Sequence, residues 1–69
     1  MIGRVCKCKK DKGYCYIKEH VTGNVYYCQF SDTDDGKLEN GYLVNFHVFY
    51  DWKHDRAKAR DVKVIDAWQ

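Results

Sequence analysis

The sequence contains no proline, and its five glycines are spread singly along the chain. It therefore has neither of the compositions that are typical of flexible or semi-rigid linkers. No apolar run approaches the ~20 residues of a membrane span. The N-terminal Met1-Ile2-Gly3-Arg4-Val5 also lacks the apolar region of a secretory signal. We therefore expect a cytoplasmic protein with no membrane partner.

The 69 residues allow one domain over residues 1–69, whose core we place at about residues 3–65. A hydrophobic content of 45% and a charged content of 32% are typical of a globular protein. The net charge is only +2, but residues 1–20 carry six lysine and arginine residues against two acidic ones. This basic first third favours a polyanionic partner. The alternative is that these lysines only keep an outer strand soluble.

The stretch Lys12-Gly13-Tyr14-Cys15-Tyr16-Ile17 alternates with the period of a two-faced strand. Cys15 and Ile17 are small residues of the kind that proteins bury, so we assign them to the core. Tyr14 and Tyr16 then lie side by side on the outer face. Paired exposed rings on a strand predict a platform for flat ligands, of which nucleic-acid bases are the commonest.

Five strands are predicted, with turn-forming residues between most of them. On the fourth strand, Val44, Phe46 and Val48 are expected to point inward, and the charged connection 51–60 is expected to form one helical turn capped by Asp51. Ser31 to Gly36 reads as a solvated acidic loop. Five short strands without a dependable helix predict an all-β fold, a five-stranded antiparallel closed barrel, which removes exposed strand edges. The predicted strands are Gly3 to Lys9, Tyr14 to Lys18, Val25 to Phe30, Tyr42 to Tyr50 and Asp61 to Ile65.

Four stretches in order resemble the cold-shock domain, a barrel of the oligonucleotide-binding (OB) type. The first, 12–17, is similar to the family's K-G-F-G-F-I, and 26–31, YYCQFS, to its V-F-V-H-F-S. Leu38-Glu39-Asn40-Gly41 with Val44 and Phe46 matches L-x-E-G-x-x-V-x-F with one position closed up. The last, 59–64, ARDVKV, resembles the A-x-N-V ending. The likeness covers about residues 3–65.

The resemblance implies a domain that binds single-stranded RNA or DNA with little sequence preference, as an RNA chaperone or a regulator of transcription or translation. Two departures weaken the match: Lys7-Cys8 replaces a W-F pair of the first strand, and Gln29 replaces the third-strand histidine. We therefore expect weaker and more salt-sensitive binding than an ordinary member shows. The positions that resemble base-stacking residues are Tyr14, Tyr16, Tyr27 and Phe30, and Lys12 resembles a phosphate-contacting lysine. Lys7, Lys9 and Lys10 would attract the backbone, and Gln29, at the position of the family's histidine, is also expected to belong to the binding site.

Trp52 has two interpretations, a clamp over a bound strand or a cap on one end of the barrel. Trp68 is expected to pack on the outside of the barrel or to be mobile.

Cys6, Cys8, Cys15 and Cys28 are many cysteines for so short a chain. If Tyr16 lies opposite Tyr27, Cys15 lies opposite Cys28 on the inward face. Such a pair can form a disulfide or hold a metal, but cross-strand geometry strains a disulfide, and cytoplasmic conditions keep thiols reduced. We favour two buried free thiols that pack as small hydrophobic side chains. The spacing C-x-C without a second pair does not predict a zinc site.

The sequence offers no catalytic constellation, because Ser31 has no evident base and no nucleotide-cradling glycine loop is present. His20, His47 and His54 read as surface residues. We therefore expect a non-enzymatic, cofactor-free binding module, with a monomer favoured. The alternative function is a barrel adapted to bind another protein, since exposed tyrosines serve protein interfaces equally well.

Overall fold

The structure of the protein is a computed structural model, which describes residues 1–33 and 38–66. Within these residues there are five β-strands and one short 3₁₀ turn at Phe30–Asp32, and no α-helix. The strands are β1 Ile2–Lys9, β2 Tyr14–Glu19, β3 Val25–Gln29, β4 Leu43–Asp51 and β5 Arg56–Asp66. The prediction of an all-β fold is confirmed.

The five strands form one sheet in the order β1-β2-β3-β5-β4, and β1 also pairs with β4, so that the sheet comes round into a ring. The first three strands and the β4–β5 hairpin pair antiparallel, as predicted. Between β3 and β5 the pairing is parallel, through Tyr27 and Lys58. Beyond β3, Thr33 pairs with Val62 in the same sense. The prediction of an entirely antiparallel sheet was therefore wrong at this one seam.

The core lies inside the ring and consists of the inward residues of the alternating strands. Cys15 and Ile17 of β2 and Phe46 of β4 have no exposed surface, as the alternation predicted. Gly3 on β1 is buried where that strand pairs with both β2 and β4. The fully or almost fully buried apolar residues are Val5, Cys15, Ile17, Cys28, Leu38, Val44, Phe46, Ala59 and Val62.

The connection after β4 differs from the prediction of a helical turn. β5 begins at Arg56, five residues earlier than Asp61, and only a tight turn separates it from Asp51. Asp51 Oδ1 accepts a hydrogen bond from the backbone N–H of Lys53 at 3.1 Å, so it caps this turn instead of a helix. Residues 53–60 include helix-forming residues, but the strand is favoured because backbone N–H and C=O groups of β4 and β5 form hydrogen bonds with each other in the hairpin.

Val48 was predicted to be an inward core residue, but it is 37% exposed. Its partner across the hairpin, Ala59, has no exposed surface, so Val48 lies at the rim of the core and not inside it. Of the predicted acidic loop, Ser31 and Asp32 belong to the 3₁₀ turn, while Asp34 to Gly36 lie outside the described residues. Trp68, with its two alternative placements, also lies outside them.

Candidate nucleic-acid interface

Three tyrosines meet on the outer face of β2 and β3, and we call them the tyrosine cluster: Tyr14, Tyr16 and Tyr27. The register Tyr16↔Tyr27, which the sequence predicted, places their Cα atoms opposite one another. The ring centroids lie 5.4–6.0 Å apart. All three rings are half-buried, since each covers part of its neighbours, and the small core residues Cys15 and Cys28 lie on the inner side.

The rings of the cluster are not coplanar, and this limits how bases can stack on them. Tyr14 and Tyr27 are tilted by 33°, whereas Tyr16 meets Tyr14 and Tyr27 edge-on, at 87° and 73°. Edge-to-face packing holds each ring in place and is favourable by about 0.5–1.5 kcal/mol per pair. Tyr14 and Tyr27 form a shallow, slightly folded surface supported at its edge by Tyr16, and the Arg56 guanidinium lies over the Tyr27 ring.

Two cations of β5 lie against the cluster. The Arg56 guanidinium carbon is 4.3 Å from the centroid of Tyr27, and Lys58 Nζ is 5.5 Å from it. Both separations are within the range of cation–π attraction. Arg56 is exposed, so its guanidinium is accessible to a phosphate or to a base stacked on Tyr27.

Lys58 is held more tightly than Arg56. Its side chain is 12% exposed, and Nζ lies 3.5 Å from an Asp51 oxygen and 3.3 Å from Gln29 Oε1. A hydrogen bond from His54 lowers the pKa of the Asp51 carboxyl, and the Lys58 charge lowers it further, so this carboxylate stays ionised at neutral pH. Lys58 therefore acts chiefly to fix Gln29 and Tyr27, while Arg56 remains available to a ligand.

The sequence-predicted lysines lie along the end of β1 and the turn that follows it. Lys9 is paired with Tyr14, and Lys12 is exposed in the turn. Lys7 is exposed and has a φ of 52°, within a shift of the β1–β2 register between Cys6 and Lys9. Lys10 instead forms an ion pair with Glu39, whose hydrogen bond raises the pKa of the lysine. The other three lysines are exposed on β1 and in the turn that leads to β2.

Within the part of the chain that the structure describes, neither Phe30 nor Trp52 has a ring contact with the cluster. Phe30 begins the 3₁₀ turn and is half-buried, packed against the core, with its N–H bonded to Gly13 O at 2.9 Å. Trp52 is 84% exposed, and its ring lies 4.5 Å from that of Tyr50. Tyr50 alternates with Phe49 and Asp51, and so belongs to the opposite face of the hairpin from Lys58. This is the face that carries buried Val44 and Phe46 further along β4, and both interpretations of Trp52, as a clamp or as a cap, stay predictions.

The sequence reasoning missed the contribution of β5. Arg56, Lys58 and Arg60 alternate with Ala57 and Ala59, which is the two-faced pattern of a strand with a cationic outer side. The stretch RAKAR carries this signal, and the prediction of a helical turn there was wrong. Phe49 lies in the predicted fourth strand, but its neighbours Lys58 and Arg60, at 5.8 and 5.3 Å from its ring, are on β5 and could not be anticipated without that strand.

The cysteines are free thiols. Cys15 lies opposite Cys28, as the register predicted, and both are fully buried. The hydrogen bond with Cys28 and burial both raise the pKa of Cys15, so this thiol stays protonated. Burial likewise raises the pKa of half-exposed Cys8, whose thiol contacts Leu38 O at 3.6 Å. Within residues 1–33 and 38–66, no three Cys, His, Asp or Glu side chains are grouped to hold a metal ion.

Comparison with models of known protein families gave no match, and comparison with curated proteins gave none either. Among the described residues there is also no helix of the length and apolarity that crossing a bilayer requires.

Proposed function

We propose that this protein binds single-stranded nucleic acid, with bases stacked on the tyrosine cluster and phosphates attracted by the surrounding lysines and Arg56. The single observation that supports this most is the contact of three tyrosine rings with one another and with a guanidinium on one outer face. Stacking of a base on an aromatic ring contributes about 1–3 kcal/mol and is tolerant of sequence, because every base has a π-face.

We further propose that the ring of strands is a closed barrel of the OB type and that the chain is a divergent cold-shock domain. The strand order β1-β2-β3-β5-β4 and the parallel contact of β3 with β5 support the first point. The four ordered sequence resemblances support the second. A role as an RNA chaperone or as a regulator of transcription or translation agrees with binding of low sequence preference.

The charges also favour this proposal. Lys7 and Lys9 belong to β1 and Lys12 to the turn before β2, while Arg56 of β5 contacts Tyr27 of β3. A single strand that crosses β2 and β3 would pass from one group of cations to the other, with its bases over the rings between them. Displacing counterions from the strand makes such binding salt-dependent.

A second function, recognition of another protein, is favoured by one specific observation. Val48, Tyr50 and Trp52 are 37%, 41% and 84% exposed on one side of the β4–β5 hairpin. Contiguous exposed apolar side chains of this kind are typical of interaction sites. This surface does not include the tyrosine cluster, so the two functions can be separated by mutation.

The test is a fluorescence titration of oligothymidine and oligouridine with the wild type, with the double variant Tyr14→Ala/Tyr27→Ala and with Tyr50→Ala. Binding by the wild type that the double variant loses and Tyr50→Ala keeps is the expected result. Absence of binding by a folded wild type contradicts the proposal and favours the protein-binding alternative. Circular dichroism of each variant shows whether it is folded.

A further inference from the structure

A second site lies on the outer face of β4 and β5. A cleft of about 410 Å³ is lined by Asn45, His47, Asp61 and Lys63, which we call the β5 cleft. This volume is within the range of about 300–1,000 Å³ that is common for ligand pockets. The strand register shifts between Asn45 and His47, and Asp61, with a φ of 52°, lies within that shift. Irregularities of this kind are frequent beside binding sites, where they redirect a side chain.

The β5 cleft is connected to the tyrosine cluster by a continuous row of contacts. Lys58 Nζ lies 5.5 Å from the Tyr27 centroid and 5.8 Å from that of Phe49. The Arg60 guanidinium carbon lies 5.3 Å from the same Phe49 ring, and Arg60 pairs with His47 at the edge of the cleft. A single strand stacked on the cluster can therefore extend along this row of cations and rings into the cleft.

The chemistry of the lining selects the ligand. The Asp61 carboxylate accepts hydrogen bonds and repels a phosphate, so the cleft does not suit a free phosphate. Arg60 Nε lies 3.8 Å from an Asp61 oxygen, in an ion pair whose side chains are 58% and 68% exposed. Such exposed pairs are weak, and the carboxylate remains accessible. A carboxylate among an amide, an imidazole and an ammonium suits the edge of a base that carries an exocyclic amine.

We propose that the β5 cleft binds one base of the single strand and prefers cytosine to uracil, with Asp61 accepting a hydrogen bond from the cytosine amino group. Cytosine presents a donor at the position where uracil presents a carbonyl oxygen, and acidic side chains pair with that donor. The carbonyl of uracil would face the carboxylate unfavourably. This inference rests on the proposed function, and it adds a sequence preference to it.

The experiment compares oligocytidine with oligouridine of equal length by fluorescence anisotropy, at one salt concentration and at a pH above neutral. The wild type should bind oligocytidine roughly 5- to 10-fold more tightly, the lower part of the range for one base-specific contact. Asp61→Asn should abolish this ratio, because the amide can also donate to the uracil carbonyl. Asparagine tolerates the positive φ of this position, so the fold should be kept.

Asp66→Asn is the matched control, since it removes the same charge from the same strand outside the cleft. It should strengthen the binding of both oligonucleotides and leave their ratio unchanged. If both oligonucleotides bind the wild type equally, or if Asp61→Asn keeps the preference, the inference is wrong while the proposed function stands. If neither binds, both are overturned.

Discussion

Gly3 is a position at which one added methyl group should be strongly destabilising. A Cβ there would lie 2.5 Å from Lys18 O, 2.8 Å from Ile17 Cγ2 and 3.0 Å from Lys18 C. Two of these three atoms belong to the backbone of β2, so no side-chain rotation relieves the contact. Since Gly3 also pairs with Val44 of β4, β1 cannot move away from β2 without disturbing its other neighbour.

The cost of Gly3→Ala can be estimated from these contacts. Overpacking of a closely packed site costs about 1–3 kcal/mol, and occasionally more; the backbone clash places Gly3 at or above the upper value. A domain of this size has a total stability of roughly 3–10 kcal/mol. At about 4–8 °C per kcal/mol, a loss of about 3 kcal/mol lowers Tm by roughly 12–24 °C.

Gly13→Ala is the matched comparison. A Cβ at Gly13 would meet nothing within 4 Å, so its cost comes only from the φ of 78°. That strain is about 1–2 kcal/mol. Thermal and urea unfolding of the two variants, followed by circular dichroism, should give the larger loss for Gly3→Ala. An equal or smaller loss there would show that β1 and β2 are not packed as closely as described, and the reasoning would fail.

Three further predictions concern the binding face and the response to acid. Tyr27→Ala should weaken oligouridine binding by roughly 5- to 150-fold, the equivalent of one stacked base. Tyr27→Phe keeps the ring and should bind with nearly the affinity of the wild type. Equal losses of affinity in the two variants, measured by titration, would contradict stacking. For the wild type, log K against log salt should have a slope of about −3 if four cations contact phosphates. Lys12→Ala should reduce the magnitude of this slope by about 0.7. Lys10→Ala should reduce it by less, because Glu39 forms an ion pair with that ammonium group. An equal reduction would show that Lys10 contacts the phosphates of the nucleic acid. Hydrogen bonds from the Thr22 hydroxyl and the Val21 N–H lower the pKa of the Glu19 carboxyl below 4.5. The ionised carboxylate therefore stabilises the folded protein above about pH 4.5, and this contribution is lost as the pH falls through the lower pKa of the folded state. Glu19→Gln should therefore make the free energy of unfolding, measured with urea, less dependent on pH in that range. An unchanged pH dependence would show that Glu19 does not make this contribution.

The first half of the fold could be predicted from the sequence because its signals are local. Alternation in 14–17 gave the inward and outward faces of β2, and a single pairing assumption gave the register that sets Cys15 opposite Cys28. Such period-2 patterns directly encode which face is buried. Three of the four expected stacking rings were placed for the same reason, and they meet in the structure.

The second half could not be predicted as well because long-range pairing determines it. Arg56 to Arg60 have the residues of a solvated helix, but β4 provides a ladder that converts them into a strand. The two arginines and the lysine on that strand reach Tyr27 or Phe49 across the sheet, and no spacing in the sequence indicates those distances. Glu39 pairing with Lys10 is likewise visible only after folding brings the two loops together.

The parallel seam between β3 and β5 has a consequence for the order of assembly. Strands β1 to β3 are neighbours along the chain, as are β4 and β5, so each group can form through short loops. Joining β3 to β5 needs a much longer chain closure, and its ladder is carried by Tyr27↔Lys58 with Thr33↔Val62 beyond the strand. Contacts between distant parts of a chain form slowly because loop entropy must be lost first. We expect strands β1 to β3 and the β4–β5 hairpin to form independently. The Arg56–Tyr27 contact between them should be among the last contacts to form in folding and among the first to be lost in unfolding.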